Sequence, residues 1–341
     1  MTPLWKWGGY FRYYSKRKGL EAVIDKFEPD ADKARRRELR RKMRKAMVKY
    51  YWDFDEFFLF GYEHTTHKER LQYVPEYEKN VFCDKVNNGA AADVFYDKWE
   101  TYCHFNAFFN RDVAYIHNLN DIDKAEVDTF LQKHHSYIAK PTSQACGRGI
   151  EIIHTKDSQE AKAKLSDYCS KGALPCIIEE LISQDGRMAA FHPSSVNTVR
   201  IPTFRFDDET VVLQPFMRIG QGDAIVDNAG HGGIICNLDV DTGRVYSCCD
   251  ERGRRFTSHP DTGKDIIGFQ VPCWEEAKSM VKALADVLPA VRYVGWDLAL
   301  TLNGWVLVEG NDKGQFVFQY PASEGFRPTL MSILQRYNDK R

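Results

Sequence analysis

Apolar and polar positions alternate in two different rhythms along this chain, and the change falls near residue 96. Before it, the clearest pattern is a helical one. In Asp32–Tyr50 (DKARRRELRRKMRKAMVKY), Leu39, Met43, Ala46 and Met47 fall on one face and basic residues cover the rest. After it, DKWETYCHFNAFF (97–109) reads as a helix, with Trp99, Tyr102, Cys103 and Asn106 at helical spacing. SYIAK and IEIIH read as strands joined by the loop PTSQACGRG. A helix is expected near 158–171, then the strand PCIIEELI. Strands follow in VNTVRIPTFRF, TVVLQPFMRI and GGIICNLDV, separated by turn residues such as Asp207-Asp208 and Asp241-Thr242-Gly243. Trp274, Ala277, Val281, Leu284 and Leu288 recur at helical intervals until Pro289. The strands RYVGWDLALT and WVLVEGN and a short helix after Arg327 complete the order. Clustered strands with mostly antiparallel neighbours make the class α+β.

The 341 residues suggest about two domains, or one core with a large appendage. With 47 Lys+Arg against 48 Asp+Glu the whole-protein charge is −1, which removes the usual argument for a nucleic-acid partner. The charge is uneven, however: Lys33 to Lys49 holds ten basic residues and one acid, Glu38. Such a helix is either a solvated face on a docked helix or a surface attracted to an anionic membrane or polyanionic substrate. No apolar run approaches the ~18–20 residues that span a bilayer, and the first residues lack the apolar block of a signal peptide, so a cytoplasmic location is expected. Nine scattered cysteines without a Cys-x-x-Cys pair suit reduced thiols.

Two nucleotide motifs are absent: there is no Gly-x-x-x-x-Gly-Lys-Ser/Thr, and Gly147-x-Gly149 runs into a strand where a dinucleotide fold would open a helix. The loop between Lys140 and Ile150 can bring backbone N–H groups close to phosphate, with Lys140 adding a charge, or it can be a structural hairpin. The hairpin YVGWDLALTLNGWVLVEGND is sharper. A two-residue Asn303-Gly304 turn would pair Leu298 with Glu309 and send Asp297 to the other face. A three-residue loop, Leu302-Asn303-Gly304, pairs Asp297 with Glu309 and gathers Gly295, Asp297, Ala299, Glu309 and Asn311 on one face. The second register is the expectation. Opposed carboxylates ~5 Å apart repel unless a cation bridges them, and two carboxylates with an amide oxygen suit Mg²⁺ holding phosphates.

Together, SYIAKPTSQACGRGIEII, PCIIEELI, RIGQGDAIVDNAGHGG and GWDLALTLNGWVLVEGN resemble the ATP-grasp superfamily over roughly residues 84–335, and FHPSSVNTVRIPT resembles its sugar-transfer-associated branch. The resemblance implies an ATP-grasp fold, two α+β subdomains clasping ATP with mostly antiparallel sheets, preceded here by a helical appendage. The division expected is a basic helical region at 1–90, a subdomain with glycine loop and hinge at 91–182, and a subdomain with the metal site at 183–341. It also implies ATP and Mg²⁺, two ions, as cofactors. Lys98 and Lys140 would be the nucleotide lysines, Cys146, Gly147, Arg148 and Gly149 the phosphate-covering loop, and Glu179, Glu180, Leu181 and Ile182 the adenine hinge. Asp185 is the candidate ribose acid, and Asp297, Glu309 and Asn311 match the metal ligands. Arg200, Arg218 and Asn228 resemble the groups that meet transferring phosphate. His231 or His192 is a candidate base, while the His134-His135 pair reads as surface. Where many ligases of the fold carry an arginine two residues before the first metal acid, this chain has Gly295.

The activity implied by the resemblance is that of an ATP-dependent carboxylate–amine ligase working through an acyl phosphate. The branch resemblance implies an amino acid or amine joined to a carboxylated sugar or sugar conjugate in surface-polysaccharide assembly. Peripheral contact with an anionic inner-membrane face or with polysaccharide-assembly enzymes would suit the basic helix. The alternatives are a phosphotransferase acting on a hydroxyl and a non-catalytic nucleotide-binding partner of a glycosyltransferase.

Overall fold

The computed structural model describes residues 4–144, 147–223, 232–316, 319, 321–322 and 324–339. Among these the first strand begins only at Val113, and what precedes it is helices and the short connections between them. The cationic segment forms the helix Lys33–Tyr50. Asp32 starts it by accepting a hydrogen bond from the Arg35 backbone N–H at 2.7 Å, and Tyr51 ends it in the left-handed conformation. The stripe expected from the spacing is the buried one: Leu39, Met43, Ala46, Met47 and Tyr50 pack with Leu20, Ile24, Trp52 and Phe57 in a small helical core.

Eleven strands are formed among the described residues: β1 (Val113–Ile116), β2 (Ser136–Pro141), β3 (Glu151–His154), β4 (Cys176–Glu180), β5 (Val199–Arg205), β6 (Thr210–Val212), β7 (Phe216–Ile219), β8 (Ile234–Leu238), β9 (Val245–Asp250), β10 (Tyr293–Thr301) and β11 (Gly304–Asn311). They make a four-stranded sheet in the order β1-β4-β2-β3 and a larger sheet in the order β11-β10-β5-β7-β8-β9, with β6 beside β5. Every described pairing is antiparallel. The expected helix at 97–109 is shorter: Asp97 caps Lys98–Phe105, and a 3₁₀ turn continues over Asn106–Phe108.

Period-two alternation divides the larger sheet into two faces. Trp296, Leu298 and Leu300 of β10, with Val199 and Ile201 of β5, point into a core closed by the helix Trp274–Val287, whose Ala277, Val281 and Leu284 are fully buried. Phe105 and Phe109 join this core, while Trp99 stacks on Tyr115 of β1 with ring centroids 4.8 Å apart, so residues 92–109 pack against both sheets. On the opposite face, Phe204 and Tyr293 meet Phe82, Phe316, Phe326 and Leu330, which bring in the helices Glu76–Val86 and Arg327–Asp339. Farther along the same face, polar residues replace apolar ones and the candidate site begins.

The β10–β11 hairpin reaches the expected pairing by a different route. Thr301 pairs with Gly304, so the turn is the two residues Leu302-Asn303, which continued regularly would oppose Asp297 to Val308. A bulge absorbs the difference: Leu298 pairs with Leu307 and Asp297 with Glu309, leaving Val308 as the extra residue.

Truncating the basic helix on its buried stripe should cost far more than on its exposed side. Leu39→Ala is expected to lose about 2–5 kcal/mol in urea unfolding, whereas Arg37→Ala, on the exposed side, should stay within about 0.5 kcal/mol of the parent.

Candidate active site

Antiparallel register sets four residues in a row across the larger sheet: Glu309 on β11, Asp297 on β10, Arg200 on β5 and Phe216 on β7. Asp297 is 1% exposed. Arg200 grips it with a two-pronged contact, Nε to Oδ1 at 2.6 Å and Nη2 to Oδ2 at 2.5 Å. Arg218 reaches the same carboxylate from β7, its Nη2 lying 2.9 Å from Oδ2, while its Nε donates to Thr198 Oγ1 at 3.0 Å. Burial pushes the Asp297 carboxyl up, and the two guanidinium charges outweigh it, so the group lies below its ordinary value. Gly295 pairs with Asn311, which brings the Asn311 amide to the same face, Nδ2 3.5 Å from Asp297 Oδ2. Glu309 is exposed and, among the described residues, has no ion-pair partner. The two expected groups, arginines and metal acids, therefore meet at one carboxylate.

Gly295 has a steric reason. A Cβ there would stand 3.3 Å from both Arg200 Cδ and Gly314 Cα. The room that an arginine at this position would need is filled by the Arg200 side chain arriving from the neighbouring strand.

The smaller sheet contributes a second charged cluster. Glu179 on β4 faces the same side as Lys140 on β2, and their Oε1 and Nζ are 2.9 Å apart. Its other oxygen takes Arg111, whose Nε lies at 2.8 Å and Nη2 at 2.7 Å. Burial of Glu179 raises its pKa, but the Arg111 and Lys140 charges win and hold it at about 2. Arg111 also donates from Nη1 to the Leu307 carbonyl of β11 at 2.7 Å, so one guanidinium ties the two sheets together. Sequence pattern gives no sign of Arg111 as a site residue: it lies in a short Asn-Arg-Asp stretch with no periodicity, and its partners are 68 and 196 residues away.

Lys98 links the clusters. Its Nζ donates to the Gln144 carbonyl at 2.6 Å, at the start of the glycine loop. Burial lowers its pKa, opposed by the charge of Glu309 and reinforced by that of Lys140, so both groups lie within electrostatic reach. Within the loop, Gly147 and Gly149 have φ of 73° and 69°, which favours glycine, and a Cβ at Gly149 would stand 2.8 Å from Pro141 Cγ. Arg148 is exposed. Thr142, at the loop's entry, is 1% exposed and its Oγ1 has no hydrogen-bond partner among the described residues. Cys146, Asn228 and His231 lie outside the described residues.

Other expected residues are used differently. Glu180 points away from Lys140: its carboxylate accepts from the Asp112 N–H at 3.1 Å, while Leu181 and Ile182 are half-buried after β4. Asp185 stands apart from the cluster, its carboxylate taken by the Arg187 backbone N–H and Nε, both at 2.9 Å. His192 has both ring nitrogens engaged, Nδ1 with Ser195 Oγ at 2.8 Å and Nε2 with the Gly222 carbonyl at 2.9 Å, so it is a structural histidine and not a free base. The expectation that His134 is a surface residue fails: its side chain is 10% exposed and hydrogen-bonds Asp112 at 2.7 Å.

The depressed Glu179 carboxyl predicts a pH signature. Its stabilisation is complete above the unfolded value near 4.5 and is lost as pH falls toward about 2. Glu179→Gln should therefore be less stable than the parent by on the order of 3 kcal/mol at pH 7, and the gap should narrow below pH 4.5 when unfolding is followed at several pH values.

A comparison with curated proteins finds no match. Among solved structures, similarity is found to an N5-carboxyaminoimidazole ribonucleotide synthetase in its ADP complex (14% identity, TM-score 0.41, 65% of this chain and 46% of that one). D-alanyl-alanine synthetase A from Vibrio cholerae O1 biovar eltor matches at 9% identity and TM-score 0.45, covering 75% of this chain and 68% of that one. A RiPP-associated ATP-grasp ligase from Chryseobacterium gregarium, in complex with ADP and a leader and core peptide, matches at 13% identity and TM-score 0.42, covering 78% and 68%. This chain thus spans less than half the length of the first of them. The family model described as sugar-transfer associated ATP-grasp matches residues 77–335, three quarters of the sequence, and the chain belongs to that family, with its ATP-grasp fold.

Proposed function

We propose that this protein is an ATP-dependent carboxylate–amine ligase that forms an amide through an acyl phosphate. The observation that carries the proposal is the convergence of Asp297, Glu309 and Asn311 on one face, with two arginines at Asp297 and Lys98 within electrostatic reach of Glu309 and of Lys140. Lys98 and Lys140 would hold the nucleotide phosphates as point charges beside the glycine loop at 147–149, with the unpartnered Thr142 hydroxyl a further donor. The residues after β4, Leu181 and Ile182, would offer backbone groups to adenine.

The donor set suits a hard divalent cation: Glu309, exposed and without an ion pair among the described residues, and the Asn311 amide oxygen would hold it, and Asp297, whose two oxygens are here engaged by Arg200 and Arg218, would join them once a guanidinium turns to phosphate. Mg²⁺ held by these residues would supply the positive charge that neutralises the nucleotide phosphates. In the reaction a substrate carboxylate oxygen attacks the γ-phosphorus and the bond to the bridging oxygen of ADP breaks. The amine then attacks the acyl carbon, phosphate leaves, and the nitrogen gives up its proton. Arg200 and Arg218 supply fixed positive charge where negative charge develops at these steps, and the Arg200 side chain takes the space beside Gly295. A carboxylated sugar or its conjugate as acyl donor, an amino acid or amine as acceptor, and a place in surface-polysaccharide assembly belong to this proposal on the strength of the family. Peripheral contact with an anionic membrane surface belongs to it on the charge of the Lys33–Tyr50 helix. Among the described residues no helix is long and apolar enough to cross a membrane.

Purified protein screened for ADP release against uronic acids and their nucleotide conjugates, crossed with amino acids, should turn over only when both a carboxylate and an amine are present, with free phosphate formed. A stable phosphate ester with no free phosphate would instead mark a phosphotransferase. Glu309→Gln should lower ADP release by at least about 100-fold, the scale of losing one transition-state charge contact, and full activity in it would remove the metal assignment.

A further inference from the structure

The helix Lys33–Tyr50 carries ten cations, and the fold treats them in two ways. Arg35 is paired with Glu28 and Glu63, Arg36 with Asp25 and Glu21, Arg40 with Glu21, and Lys42 with Glu38 and Glu63. Farther along, Arg41, Arg44, Lys45 and Lys49 are exposed, and no ion pair involving them is found among the described residues. Their spacing places them on one stripe, and each like-charge neighbour three or four residues away costs about 0.2–0.5 kcal/mol of helix stability. Among the described residues no carboxylate offsets that repulsion, and the contacts these cations do make are with rings, Arg44 over Tyr10 at 5.8 Å and Lys49 over Tyr50 at 5.3 Å.

The stripe also forms one wall of a cleft of about 1030 Å³. Tyr10 and Tyr13, from the helix Leu4–Lys16, line it as well, and no carboxylate does among its lining residues. From Arg41 to Lys49 the stripe runs ~12 Å along the helix, longer than one phosphate and suited to several negative charges in a row. Tyrosine rings beside it offer a flat apolar surface of the kind that receives a sugar or a base. The cations line a recess beside two rings instead of a flat face, which suits a ligand that enters it.

We propose that this cleft binds a diphosphate ester, its phosphates on Arg41, Arg44, Lys45 and Lys49 and the esterified group against Tyr10 and Tyr13. The site is separate from the candidate ATP site and stands whether or not the ligase assignment does. The same chemistry is presented by a soluble nucleotide diphosphate sugar and by a lipid-linked diphosphate.

Calorimetric titration of the full chain with UDP-glucose and with farnesyl diphosphate tests it and separates the two sources, the tighter ligand naming the source. Arg41→Gln/Arg44→Gln/Lys45→Gln, all at exposed positions, should weaken the tighter ligand at least about 30-fold with an unchanged thermal melt. Lys33→Gln/Arg37→Gln, on the same helix outside the cleft, should change it less than about threefold, and Lys140→Ala should leave it intact. Equal loss in both multiple variants would reduce the effect to general charge and overturn the proposal. Loss in Lys140→Ala with an unchanged thermal melt would move the binding to the ATP site and overturn it equally. The proposal also fails if neither ligand binds at millimolar concentration, or if vesicles of phosphatidylglycerol and phosphatidylcholine bind through the stripe without competition from either diphosphate.

Discussion

A carboxylate removed from water must find its compensation inside the protein, and at Asp297 that requirement organises the whole site. Two guanidinium groups from different strands meet it, and taking one away would leave a buried charge at a cost of about 3–5 kcal/mol. The contact is made only when β5, β7 and β10 are in their observed registers, since a slip by one residue would turn Asp297 or Arg200 into the apolar core on the other face. Electrostatic compensation and sheet register thus enforce each other. The same constraint explains Gly295, which leaves room for the Arg200 stem, and leaves Glu309 as the carboxylate of the row facing solvent.

The smaller sheet is joined to this arrangement through Arg111. One guanidinium neutralises Glu179, which in turn positions Lys140, and donates to the Leu307 carbonyl two residues from Glu309. A shift of the smaller sheet against the larger would have to break a buried charged contact, so the lysine cluster and the acid row are held as one unit. Lys98, bonded to the loop carbonyl and sensitive to Glu309 and Lys140, reports the same proximity.

Local periodicity makes much of this readable in the sequence. The Leu39–Met43–Met47 stripe and the strand alternation of β10 and β11 are properties of neighbouring residues, and they stand where the pattern puts them. The hairpin marks the boundary of that legibility. Its Asp297–Glu309 pairing can be read because one register gathers the polar residues, yet the turn differs from the expected one because a bulge at Val308 and a shorter turn produce the same pairing. Features that depend on distant partners stay hidden. Arg111 has no rhythm to betray it, and His134 gains its burial and its acid from a segment 22 residues earlier. Net charge likewise sums the cations of the Lys33–Tyr50 helix without telling which are neutralised, because Glu21, Asp25, Glu28 and Glu63 come from other turns of the appendage.

The claim on which the functional account rests is that Glu309, Asp297 and Asn311 hold a divalent cation against a nucleotide gripped by Lys98 and Lys140. Paramagnetic relaxation of ATP by Mn²⁺, measured on the parent and on Glu309→Gln, addresses it directly. The account predicts that the variant still binds ATP while the ordered metal environment of the complex is lost; an unchanged relaxation signature in the variant would contradict it.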